Sequence, residues 1–139
     1  MAWVMDCSMA GALGLPDERS DLAEEFLRII LAEAEVWVPP LWWYEMSNLL
    51  VTAMRRKQLT QATAEHLHEL YASLPLVTDA PPTPVISGAI RRIAIQHRLS
   101  AYDAAYMELA LRLGIGLATL DRDLKRVAKS SGVPLFGMD

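Results

Sequence analysis

Trp3-Val4-Met5-Asp6-Cys7-Ser8 decides the fold: three apolar residues run into one acid and then into small residues. A run so short, with no polar alternation, reads as a strand buried on both faces, and Cys7, Ser8, Ala10 and Gly11 read as the loop it opens into. Asp6 then stands at the carboxyl end of a buried strand. Further short strands are predicted at 35–38 (stopped by Pro39-Pro40), 75–78, 115–119 and 133–136. Helices are predicted between them. Leu22, Phe26, Ile29 and Ile30 set one at 21–33 by their spacing, and the two prolines lead into one at 41–57. Others follow at 61–73 behind Thr60, at 85–96, at 101–113 between Ser100 and Gly114, and from Asp121 to near Gly132. Strands alternating with helices on short links make a parallel α/β sheet covered on both faces. The Pro-rich stretch 79–84 is read as a loop inside one domain spanning 1–139.

The chain has 139 residues, 53% of them hydrophobic and 22% charged, which excludes disorder and leaves enough apolar matter for a real core. The lone Cys7 excludes an internal disulfide framework and a Cys-rich zinc site, so a reducing, cytoplasmic setting is expected. No apolar run approaches the ~18 residues of a membrane span, and the first residues lack the basic start of a signal peptide. The net charge of −4 argues at first sight against a nucleic-acid partner. That balance is uneven: residues 1–50 carry 2 basic and 9 acidic groups, residues 51–139 carry 11 and 8. Arg91, Arg92, Arg98, Arg122, Lys125, Arg126 and Lys129 are candidates to neutralise nucleic-acid phosphates, or else a solvated face. Arg55-Arg56-Lys57 reads as an ordinary helix end.

In an open parallel sheet, sites form at the carboxyl ends of strands, where the next helices present their N-termini. Asp6 and Asp121 follow strands; Glu45 and Asp103 fall in the first turns of helices. All four are predicted at one edge, where they would repel and raise one another's pKa. A divalent cation resolves that conflict, and a donor set of oxygens alone points to Mg²⁺ or Mn²⁺. Each acid also has a structural explanation: Ser100 to Asp103 is close to a capping box, Asp121 is a good N-cap, and Glu45 suits a helix dipole. Convergence is the stronger argument.

Val4-Met5-Asp6-Cys7-Ser8, Glu45-Met-Ser-Asn48-Leu49-Leu50, Leu99-Ser-Ala-Tyr-Asp103-Ala-Ala-Tyr and Leu117-Ala-Thr119-Leu-Asp121-Arg-Asp123-Leu124 resemble, in order and spacing, the successive motifs of PIN domains. The match is best to VapC-type toxins of VapBC toxin–antitoxin pairs and spans essentially the whole chain. The resemblance implies a three-layer α/β/α sandwich around a mostly parallel sheet of four to five strands. It also implies a Mg²⁺-dependent ribonuclease, with Mn²⁺ as substitute, usually homodimeric and held inactive by a cognate antitoxin. Carried over, Asp6, Glu45, Asp103 and Asp121 are catalytic. Asp6 and Asp103 hold metal, with Asp121 directly or through water, and Glu45 orients water or completes the outer shell. Asp123 matches more loosely, and Thr119 fits a small hydroxyl before the last acid.

Asn48, three residues after Glu45, shares its helix face and is a candidate to fix a carboxylate rotamer; Ser8 is a candidate donor from its loop. His66 and His68, two apart on a helix, do not form a metal pair, and His97 reads as structural or surface. Cys7 reads as a small buried residue rather than a nucleophile. The cluster Trp37, Trp42, Trp43 and Tyr44 must leave some ring outside the core, where it would suit an antitoxin or dimer groove. Alternatives from other classes are a phospho-receiver module, which lacks its paired acids and late Lys here, and a phosphatase needing Asp-x-Asp. A non-toxin RNA-processing nuclease and a non-catalytic PIN-like binding module remain open.

Overall fold

The computed structural model describes residues 1–138; Asp139, the last residue of the predicted domain, lies outside the described residues. Four parallel strands form one sheet: β1 (Ala2–Met5), β2 (Glu35–Val38), β3 (Leu76–Thr78) and β4 (Gly116–Ala118), in the order β3-β2-β1-β4. Among the described residues six α-helices connect them, α1 (Cys7–Gly14), α2 (Asp21–Leu31), α3 (Leu41–Arg55), α4 (Gln61–Ser73), α5 (Pro84–His97) and α6 (Ala101–Leu113), and α7 (Arg122–Ser130) follows β4. β1 lies between β2 and β4, with Val4 opposite both Trp37 and Leu117. That central place is why Val4 and Met5 are fully buried and why the strand carries no polar face.

The chain winds β1 to β2 to β3 in one direction and then returns across β1 to β4. Right-handed crossovers therefore put α1 to α4 on one face and α5 and α6 on the other. This is the three-layer α/β/α architecture expected from the sequence. Packing agrees: α1 meets α2 and α3, α3 meets α4, and α6 lies on β1 and β4 beside α5 and α7. No helix of the described residues is long and apolar enough to cross a membrane.

Two expectations are corrected. Residues 7–14 are a helix, not a loop: the Asp6 carboxylate accepts the Met9 N–H at 3.0 Å and caps it. The small residues that looked like loop are there for close packing, with Met9, Ala10 and Ala12 in the core and the Tyr71 hydroxyl donating to the Ala10 carbonyl at 2.8 Å. The strand expected at 133–136 shrinks to one parallel bridge, Leu117 with Leu135. Pro134 has no N–H to give, and Gly137, at φ 86°, turns the chain away. Phe136 is retained by edge-on contacts with Trp3 and Phe26.

One ionic cluster escaped the sequence reading. Glu108, buried on α6, pairs with Arg112 one turn on at 2.8 Å, and Arg112 reaches Asp79 beyond β3 at 2.6 Å. The guanidinium thus ties α6 to the segment leaving the sheet edge. Arg112→Ala strands Glu108 without its charge partner and is expected to cost about 2–3 kcal/mol in urea unfolding. A cost under about 0.5 kcal/mol would show that water replaces the guanidinium freely.

Candidate active site

The sheet reverses its winding between β1 and β4, and a parallel sheet opens its binding crevice at that point, beyond the carboxyl ends of the strands. Asp6 follows β1 and Asp121 follows β4 three residues after Ala118. α3 leaves the same edge after β2, so Glu45 in its second turn is carried there. α6 must return to the start of β4, so its own N-terminus, with Asp103, also begins at the carboxyl edge. The topology therefore delivers all four predicted acids to one end of the molecule.

Asp6 is the most enclosed of the four, at 4% exposure. Ser8 Oγ donates to its Oδ1 at 2.8 Å, the Met9 N–H to the same oxygen at 3.0 Å, and Thr119 Oγ1 to Oδ2. Burial dominates even so, and with the Asp121 charge it raises the carboxyl pKa to about 6 despite those three donors. Thr119 also accepts the Asp121 N–H at 3.0 Å, and Ser8 Oγ accepts the Leu120 N–H at 2.9 Å. Two hydroxyls thus lace the exit of β1 to the exit of β4. Both had been singled out in the sequence; Ser8 acts from the first turn of α1 rather than from a loop.

Asp121 caps α7 by accepting the Leu124 N–H at 2.9 Å. Asp103, half-buried in the first turn of α6, has its pKa raised by burial and then by Asp121, against a hydrogen bond with Ser100. Glu45 is raised by burial and by Asp103, while the Tyr106 hydroxyl donates to its Oε1 at 2.5 Å. The repulsions run Glu45 to Asp103 to Asp121 to Asp6, which places the acids in one electrostatic neighbourhood. Asp123 is exposed; it adds to the repulsion on Asp103 and lies 3.7 Å from Arg126.

Among the described residues, no salt bridge joins Asp6, Glu45, Asp103 or Asp121 to a cation. Nor do three Asp, Glu, His or Cys side chains stand close enough to hold one ion as they are placed. Oδ1 of Asp6 accepts from both Ser8 and Met9, while Oδ2 accepts from Thr119 alone and keeps one acceptor site. The donor chemistry nonetheless suits a hard divalent cation: oxygen ligands only, uncompensated, and mutually repelling.

The remaining residues separate clearly. Asn48 is exposed and lines the same groove as Glu45, with no hydrogen bond to an acid among the described residues. Arg56, read as an ordinary helix end, lines that groove as well. His66 and His68 are exposed, and His97 closes α5. Cys7 is half-buried, its thiol pushed up to about 12 by burial and by Glu45 and Asp6, which excludes a thiolate nucleophile at neutral pH. Trp42 is buried, Trp43 packs edge-on against it at 4.8 Å, and Tyr44 is left outside. Of the basic residues, Arg122, Lys125, Arg126 and Lys129 line one shallow groove along α7, the helix that Asp121 caps. Tyr106 was missed as a site residue. Its signal was its place one helical turn after Asp103, on the same face.

The PIN domain family model matches residues 6–130, from the first acid to the end of α7. The chain is 35% identical to Ribonuclease VapC3 of Pyrobaculum aerophilum over 125 residues, covering 89% of this chain and 92% of that protein. PAE2754 from the same organism superposes with a TM-score of 0.73 at 24% identity, covering 98% of this chain and 84% of that one. The structure of VapBC2 from Rickettsia felis, bound to a DNA fragment from their promoter, superposes at 0.67 with 14% identity, covering 97% of each chain. With a family match spanning the acidic site and a near-full-length VapC relative, this chain belongs to the PIN-domain family as a VapC-type member.

Proposed function

We propose that this VapC-type protein is a metal-dependent endoribonuclease, the toxin of a toxin–antitoxin pair, hydrolysing RNA phosphodiesters at the four-acid edge of its sheet. One observation carries the reading. Four carboxylates from four separate segments lie toward the carboxyl edge of the sheet, and among the described residues none is salt-bridged to a cation. A structure does not gather uncompensated acids for stability, and burial makes the arrangement worse. The name of the VapC3 relative supports RNA as substrate.

Asp6, Asp103 and Asp121 are the residues that would hold Mg²⁺ or Mn²⁺. Such an ion supplies charge neutralisation at the phosphoryl oxygens and a lowered pKa for the attacking water. The chain's own contribution is positional. Thr119 and Ser8 fix the Asp6 carboxylate and tie it to the Asp121 loop. Tyr106 holds Glu45 by one oxygen, leaving Oε2 free to orient the water and take its proton. With its pKa raised, Glu45 accepts that proton more readily than an exposed carboxylate. The cations along α7 begin beside Asp121 and suit phosphates flanking the cut.

Likeness to VapBC2 supports an antitoxin partner. A homodimer is supported by α5, an apolar helix in which no residue is fully buried and Val85 and Ile95 are 79% and 71% exposed. In the cell we place the protein in the cytoplasm, where RNA is.

The test is a covalently closed RNA circle containing structured loops. Wild type with Mg²⁺ is expected to linearise it, which only an endonuclease does; chelator or Asp103→Asn is expected to stop cleavage. Cleavage that persists in chelator would refute the metal-dependent reading. Cleavage of linear RNA alone would replace it with an exonuclease.

A further inference from the structure

Of the ten aromatic side chains in this sequence, eight are buried or half-buried, and only Tyr44 and Tyr102 are exposed, at 76% and 64%. Their positions are related. Tyr44 directly precedes Glu45 on α3, Tyr102 directly precedes Asp103 on α6, and both line one groove of about 500 Å³ beside the acids. Among the described residues neither ring packs on another aromatic ring, and neither hydroxyl makes a hydrogen bond. Two large rings kept in water beside a reactive edge are apolar surface without an internal use.

The rest of the groove indicates what it takes. Asn48, Thr52 and Gln58 line it with neutral hydrogen-bonding groups, while Glu18 and Glu45 add two carboxylates against the one guanidinium of Arg56. Carboxylates disfavour a phosphate there but accept the amino groups of bases. Phosphates have a separate home on α7, beyond Asp121. Glu45 lines the aromatic groove and Asp121 caps the cationic helix, so the acids reach from one to the other. A strand crossing the acids can lay its backbone toward α7 and its bases into the groove.

We infer that Tyr44 and Tyr102 form a stacking platform for unpaired RNA bases next to the cut. Base stacking on tyrosine tolerates any base, so the platform selects single-stranded RNA over duplex, whose bases are stacked on one another. This deepens the nuclease reading and rests on it for the choice of RNA as ligand. It asks nothing of the metal.

The experiment measures equilibrium binding by fluorescence anisotropy, in chelator at low ionic strength, where cleavage is not required. The probes are a labelled single-stranded RNA hexamer and an abasic hexamer with the same phosphates. Wild type is expected to bind the base-bearing strand at least about tenfold more tightly than the abasic one. Tyr44→Ala and Tyr102→Ala each remove on the order of tenfold from the first probe and nothing from the second; Tyr→Trp at either position retains the preference. Both rings are exposed, so unchanged melting checks that the variants fold. The inference is overturned if wild type shows no base preference, or if the Ala variants keep it. Equal loss on both probes also overturns it, as does an effect confined to the dimer's mass by light scattering, which would make the groove a protein interface. Base-dependent binding without cleavage in Mg²⁺ leaves the platform standing and removes the nuclease reading. Cleavage with no tyrosine-dependent binding does the reverse.

Discussion

Asp6→Asn is expected to lower RNA cleavage by more than about a hundredfold while making the metal-free protein more stable at neutral pH. The two effects have one cause. Asp6 is nearly fully buried, and burial lifts its carboxyl pKa from 3.8 to about 6. Between those values the unfolded chain has released the proton and the folded chain has not. Folding is thus favoured with Asp6 protonated, and stability falls as pH rises through that window, then levels above about 6. The shift corresponds to about 3 kcal/mol at most. Asn stays neutral, still caps α1, and can accept from two of the three donors, so a gain of about 1–3 kcal/mol is expected at pH 8. Urea unfolding in chelator at pH 8 and pH 4.5 checks this: the advantage of the variant should shrink to about a third at the lower pH. Full cleavage by Asp6→Asn would remove Asp6 from the site, and equal stability at both pH values would mean that its burial costs nothing.

The second large effect is stabilisation by the cation itself. A ligand that binds only the folded state at a hundredfold excess over its Kd adds about 2.7 kcal/mol. For a chain of this size that is a rise in Tm of about 10 °C. Saturating Mg²⁺ or Mn²⁺ is expected to give this rise in wild type and little of it in Asp103→Asn. Below about pH 6 the ion competes with a proton on Asp6, so the apparent affinity should weaken as pH falls and flatten above. A thermal shift equal in wild type and Asp103→Asn would place the ion elsewhere.

Much of this was legible in the residues. The period of the apolar runs located β2 and α4 to the residue, because Pro39-Pro40 and Thr60 punctuate them. The four acids could be nominated because strand ends and helix starts of a parallel sheet fall at one edge, and because they stand in the motifs that resemble PIN domains. α1 was misread because Cys7, Ser8, Ala10 and Gly11 are small for reasons of packing, which looks the same in sequence as being small for reasons of flexibility. The strand at 133–136 was overextended because apolar content does not say which N–H groups exist; Pro134 removes one. The bond from Tyr106 to Glu45 and the one from Arg112 to Asp79 join residues far apart in sequence. Only the folded chain brings such partners together.

The hydroxyl of Thr119 reaches Asp6 across 113 residues of sequence. β4 must pair with β1 before those two meet, and of the four strands among the described residues β4 comes latest in the sequence. During synthesis, then, a chain that has already folded α1 to α4 carries Asp6 and Glu45 but no assembled acidic edge. That edge is complete only when α6 and β4 dock on β1. A chain interrupted before β4 therefore carries Asp6 and Glu45 without the edge that gathers the acids.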